Sequence, residues 1–144
     1  MPPIFVNTDN TNPNDKLFRA SVAGAVAAEL EKKMQETVVK IIEKDSTFTT
    51  NKIKNAKGYS IRLKVAKLET EGRETKCSLA GEILLYPQTT YSKEGNGEQM
   101  LSTGMRGSAR ATGRFAAIDC VESITEDLVK KSIPIMRADM ASNR

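Results

Sequence analysis

The sequence contains neither histidine nor tryptophan. Without an imidazole there is no His-activated nucleophile, no His metal ligand and none of the commonest general base at neutral pH. Cysteine occurs only twice, at Cys77 and Cys120. That is too few and too widely spaced for a paired-ligand zinc site or a redox Cys-x-x-Cys motif. Two buried thiols are the expectation, with a single disulfide as the alternative in an oxidising compartment. Apolar runs are short, far below the roughly 20 residues that span a bilayer, and the start lacks a basic-then-apolar signal pattern. No membrane insertion is expected. Met1-Pro2-Pro3 leaves the location open: cytoplasmic if Met1 is the native start, periplasmic or cell-envelope if an export signal has been removed.

What is there suits one domain. The 144 residues are 39% hydrophobic and 28% charged, enough apolar material for one core and too mixed in charge for a disordered tail. The excess of 22 basic over 18 acidic residues permits attraction to an anionic partner but falls short of a dedicated nucleic-acid binder.

Ile4-Phe5-Val6 reads as a short strand, followed by a polar lead-in to about Asn14. Asn12-Pro13-Asn14-Asp15 carries helix-start signals. From there a helix is expected to about Lys44, with Phe18, Val22, Ala25, Val26, Leu30, Met34, Val38, Ile41 and Ile42 at helical spacing. Its apolar stripe advances about 40° with each four-residue step, which requires the helix to curve, break near Met34 or change its buried face. Val38, Val39, Ile41 and Ile42 are then available to core or interface. Thr47–Thr50 is a further short strand, and Asn51–Gly58 a basic connection.

Tyr59, Ile61, Leu63 and Val65 alternate with Ser60, Arg62 and Lys64, the period of a half-buried strand. After the turn Glu71-Gly72-Arg73-Glu74, Cys77, Leu79, Gly81, Ile83 and Leu85 alternate with Lys76, Ser78, Ala80 and Glu82, which completes a hairpin. Pro87–Gln99 is a long loop. Met100–Thr112 is another strand, in which Gly104, Gly107 and Gly113 suggest bulges or close backbone approach. A closing helix carries Ile118, Val121, Ile124, Leu128 and Val129 on one face. Pro134 should end it near Ser132, leaving 133–144 as a fraying tail. The fold class is therefore α+β: a mixed or antiparallel sheet of four to five strands with both helices on one face.

No catalytic, cofactor-binding or metal-binding constellation emerges. Gly104-Met105-Arg106-Gly107 lacks the Gly-Lys-Ser/Thr ending of a phosphate loop and sits inside an alternating strand. Arg62, Lys64, Arg106 and Arg110 share the solvent side of their strands and form the candidate binding surface. No aromatic residue alternates with them to stack bases. Tyr91, in the long loop, is a second candidate contact.

The order of strand, long helix, strand, hairpin, strand and closing helix resembles the TolB amino-terminal domain and related bacterial envelope lipoproteins. The likeness rests on Ile4-Phe5-Val6, the hairpin Tyr59 to Tyr86, and Leu101 to Gly113 ahead of Ile118 to Lys131. It implies a non-enzymatic accessory domain that docks onto other envelope proteins. The functional expectation is a protein-binding or assembly module, with a protein partner or a homo-oligomer. The alternative is weak nucleic-acid binding through the basic sheet face.

Overall fold

A computed structural model describes residues 2–9, 24–87 and 100–142. Five strands and two helices follow in the order β1 (Ile4–Asn7), α1 (Gly24–Glu43), β2 (Phe48–Thr49), β3 (Gly58–Glu71), β4 (Glu74–Tyr86), β5 (Met100–Thr112) and α2 (Ala116–Ser142). The sheet order is β2-β1-β3-β4-β5. β1 runs parallel to β2 and to β3, while β3, β4 and β5 form an antiparallel meander. The sheet is therefore mixed and the fold α+β.

The alternating pattern decides which face is inner. Tyr59, Ile61, Leu63 and Val65 of β3, Cys77, Leu79 and Ile83 of β4, Met105 of β5 and Val6 of β1 join one core with residues of both helices. A bulge between Val65 and Lys67 adds one residue to β3, so Leu68 rather than Lys67 lies opposite inward Cys77. The hairpin closes through Gly72-Arg73, where Gly72 has φ of 63°, a backbone region glycine enters without a Cβ clash.

α1 neither breaks at Met34 nor changes its buried face. Ala27, Leu30, Met34, Val38, Ile41 and Ile42 are all buried. The stripe stays aligned because steps of three, from Ala27 to Leu30 and from Val38 to Ile41, rotate it back by about 60° and cancel the forward drift of the four-residue steps. Val26, expected in the stripe, is exposed, with Ala27 buried in its place. The Asn12-Pro13-Asn14 cap, Phe18 and Val22 lie outside the described residues.

α2 corrects the expected ending. It runs through Pro134 to Ser142, so 133–142 is helix rather than tail. A proline in a helix leaves the carbonyl four residues back without its donor; here both Pro134 and Lys130 are exposed, so water can serve that carbonyl. Beyond the proline the helix is tied to the domain. Met136 is fully buried, the Tyr59 hydroxyl donates a hydrogen bond of 2.5 Å to the Asp139 carboxylate, and Arg137 pairs with Asp45. Lys33 and Glu122, 3.2 Å apart, link α1 to α2.

Cys77 and Cys120 form a disulfide between β4 and α2, with their Cα atoms 6.2 Å apart. This overturns the expectation of two free thiols. Both residues occupy inward positions of facing elements, at a separation a disulfide spans without backbone movement. Two glycines allow close approach, Gly58 of β3 to its neighbour β1 within the sheet and Gly107 of β5 to the helix layer. A Cβ on Gly58 would lie 1.9 Å from the Phe5 carbonyl oxygen, and one on Gly107 would lie 2.9 Å from Ile124 of α2. Among the described residues, no helix is long and apolar enough to cross a membrane.

Candidate functional site: the uncovered face of the sheet

The face opposite the helices divides into two parts. Toward β1 it is closed. Phe5, Ser60 and Leu84 are buried there, Asn7 Nδ2 donates to Ser60 Oγ at 2.9 Å, and the rings of Phe5 and Tyr86 meet edge-on at 5.0 Å. Ser60, expected on a solvated surface, is thus a buried hydrogen-bonded residue. The alternation that put it outward was right, but outward is not wet at this end of the sheet.

Toward the hairpin the same face is exposed and basic. In register across β3, β4 and β5, Lys64 lies beside Ala80, which lies beside Arg106. One step toward the turn are Lys67, Ser78 and Ser108, and after them Glu69, Lys76 and Arg110. Small side chains at Ala80, Ser78 and Ser108 leave a low centre with long cations around it. A depression of about 350 Å³ is lined there by Lys67, Lys76, Ser78, Ser108 and Arg110, with Cys77 and Ala109. Lys67 is within 3.7 Å of Glu69. Lys64, Lys76, Arg106 and Arg110 make no ion pair among the described residues.

The four expected residues are therefore only partly brought together. Lys64 and Arg106 share a row across Ala80, and Arg110 stands next to Lys76. Arg62 sits apart, half-buried and opposite Glu82. Tyr91 lies outside the described residues. Sequence reasoning missed Lys67 and Lys76 as members of the site. Lys67 reaches this face only because the bulge shifts the alternation. Lys76 was legible as outward-facing on β4, and its position between β3 and β5 follows once the three strands form a meander.

A second depression, of about 460 Å³, lies between the end of α1 and α2 and is lined by Ile41, Lys44, Asp45, Ser46, Glu126, Lys130, Ile133 and Arg137. It is a structural seam. Burial pushes the Asp45 carboxyl up, but the Thr47 backbone N–H at 2.9 Å, the Thr47 side chain and the Arg137 guanidinium outweigh it, and the group is held below the usual aspartate value. Nearby, the Thr50 hydroxyl and N–H donate to Glu43 at 2.5 and 2.6 Å and lower its pKa as well. Among the described residues, no group of three or more Cys, Asp or Glu is placed to hold a metal ion.

No protein-family model matches the chain, and no curated protein matches it. Among solved structures it is similar to that of a "putative lipoprotein" from Caulobacter crescentus CB15, at 12% identity and a TM-score of 0.43, covering 80% of this chain and 85% of that one. A likeness this distant carries no argument about the exposed residues of the sheet.

Proposed function

We propose that this chain is a non-enzymatic protein-binding module that presents the basic half of its uncovered sheet face to an acidic protein surface. The observation that carries the reading is the cluster of Lys64, Lys76, Arg106 and Arg110 around Ala80, Ser78 and Ser108, with no carboxylate paired to those four among the described residues. A second copy is a poor occupant, because a two-fold contact through this patch would set cations against cations. A nucleic-acid strand is disfavoured by Glu69 and Glu82, which interrupt the positive track, and by the lack of an aromatic platform. The buried Cys77–Cys120 disulfide supports placing this activity in an oxidising compartment, in keeping with an envelope accessory role.

The test compares the wild-type protein with Arg106→Glu/Arg110→Glu as bait in extract from the native source, with and without nuclease. Capture of one acidic protein that survives nuclease and disappears with the charge reversal is the expected result. Capture that depends on nucleic acid, or that ignores the reversal, overturns the reading.

A further inference from the structure

The two edges of the sheet are treated differently. β2 ends one side with only Phe48 and Thr49, which leaves almost no unpaired backbone. β5 ends the other with thirteen residues and, among the described residues, has no strand on its far side. Its pairing to β4 is irregular near Gly81 and Ile83 but unbroken from Gly81↔Met105 to Glu74↔Thr112. Over Met105–Thr112, β5 therefore presents a regular ladder of N–H and C=O groups that no other strand among the described residues uses. Edges are usually blunted by shortness, proline, a bulge, an inward charge or charged side chains along the edge. This stretch carries only the last, in Arg106 and Arg110, which oppose a cationic strand and favour an anionic one.

Two further observations indicate what the edge accepts. Arg106 and Arg110 project from it on the uncovered face, four residues apart. Arg110 lies directly opposite Lys76, a like-charge neighbour. Glu69 stands on the far side of Lys76, so the row holds one carboxylate against two cations, and Arg110, at the edge, has no anion beside it in register among the described residues. The rows Lys64–Ala80–Arg106 and Glu69–Lys76–Arg110 each end on a cation at the open edge, where the next position would belong to an added strand.

We infer that β5 is a docking edge to which an extended segment of another protein adds as a sixth strand, with two carboxylates four residues apart lying beside Arg106 and Arg110. This rests on the binding role proposed above and specifies its partner. Side chains of a strand alternate between faces, so residues i and i+4 share a face in either strand direction, whereas i and i+3 do not. Backbone pairing supplies affinity, and the acid spacing supplies selectivity. A second copy of β5 would bring its own Arg106 and Arg110 to the same ladder and leave the charge excess unrelieved.

The probes are short peptides of alternating Thr and Val, one carrying Glu at i and i+4, one at i and i+3, and one with the i, i+4 spacing but alternate backbone N-methylation. Affinity is read by fluorescence anisotropy, and alternate β5 amides are followed by hydrogen exchange. The i, i+4 peptide is expected to bind at least about tenfold more tightly than the i, i+3 isomer. It should also protect alternate β5 amides and lose its advantage against Arg106→Glu/Arg110→Glu, while the methylated peptide fails. Equal binding by both spacings, or by the methylated peptide, overturns strand addition and leaves the acidic-partner role standing. No binding at millimolar peptide, or a β5-mediated dimer seen by light scattering, also overturns it. Failure of the role itself is read separately, in the capture experiment.

Discussion

On β4, Cys77, Leu79 and Ile83 point into a core closed by α1 and α2, while Lys76, Ser78 and Ala80, interleaved with them, point away from both helices. The inner set is large, apolar and fixed, and Gly81 and Gly107 give the space its neighbours need. The outer set is small or charged, and near the hairpin it is exposed or half-buried. Yet the outer face does not follow one rule throughout, because toward β1 it buries Phe5, Ser60 and Leu84. A side chain's face is set by strand period, whereas its burial depends on what crosses that face.

The widest gap between the faces should appear in truncations. Leu63→Ala or Ile83→Ala, both fully buried, should cost about 2–5 kcal/mol through lost burial and a residual cavity. Lys64→Ala should stay within about 0.5 kcal/mol. Denaturant unfolding of these variants measures both, and equal costs would erase the distinction. Next comes the covalent link across the inner face. The Cys77–Cys120 separation is 43 residues, so reduction, or Cys77→Ser with Cys120→Ser, should lower stability by about 2–4 kcal/mol. An unchanged unfolding midpoint in reductant would show the bond to be dispensable.

Ser60→Ala probes the exception on the outer face. It removes the acceptor for Asn7 in a buried site and should cost about 1 kcal/mol, more than Lys64→Ala on the same face. A cost equal to that of Lys64→Ala would mean the β1 end is as wet as the hairpin end. The smallest effect lies at the seam below the core. The Asp45 and Glu43 pKa values are lowered in the folded chain, so their stabilisation is present above the unfolded carboxylate values and is lost as pH falls through the folded ones. Stability should decline below about pH 4. Asp45→Asn should flatten part of that acid limb, by less than about 1 kcal/mol; an unchanged pH profile would remove Asp45 from the account.

The inner face was legible because period two in Tyr59–Val65 and Cys77–Ile83 needs no knowledge of neighbours. What depends on neighbours was not. The insertion of β1 between β2 and β3 is a long-range pairing that the residues of Ile4–Asn7 do not encode locally. Ser60 and Leu84 are buried by context, and the passage of α2 through Pro134 goes with the exposed position of Pro134 and Lys130 and with the Tyr59–Asp139 tie. Placement of Cys77 and Cys120 across the helix–sheet interface followed from their positions in their elements, but bond formation needed the distance. Of the basic patch, Lys64, Arg106 and Arg110 were readable from alternation. Lys67 was hidden by the bulge, and Arg62 was grouped with them until its register partner Glu82 was known.

The Cys77–Cys120 bond also changes the chain's connectivity. It turns residues 77 to 120 into a covalent ring, with β5 lying wholly inside it and the rest of the polypeptide leaving as two arms. A single cut anywhere between Tyr86 and Met100 opens that ring without separating the pieces, so the nicked molecule keeps its full mass until reductant divides it in two. Tension applied at β5 is likewise shared between β4, on one side of the ring, and α2, on the other. The edge strand is anchored like a rung held at both rails.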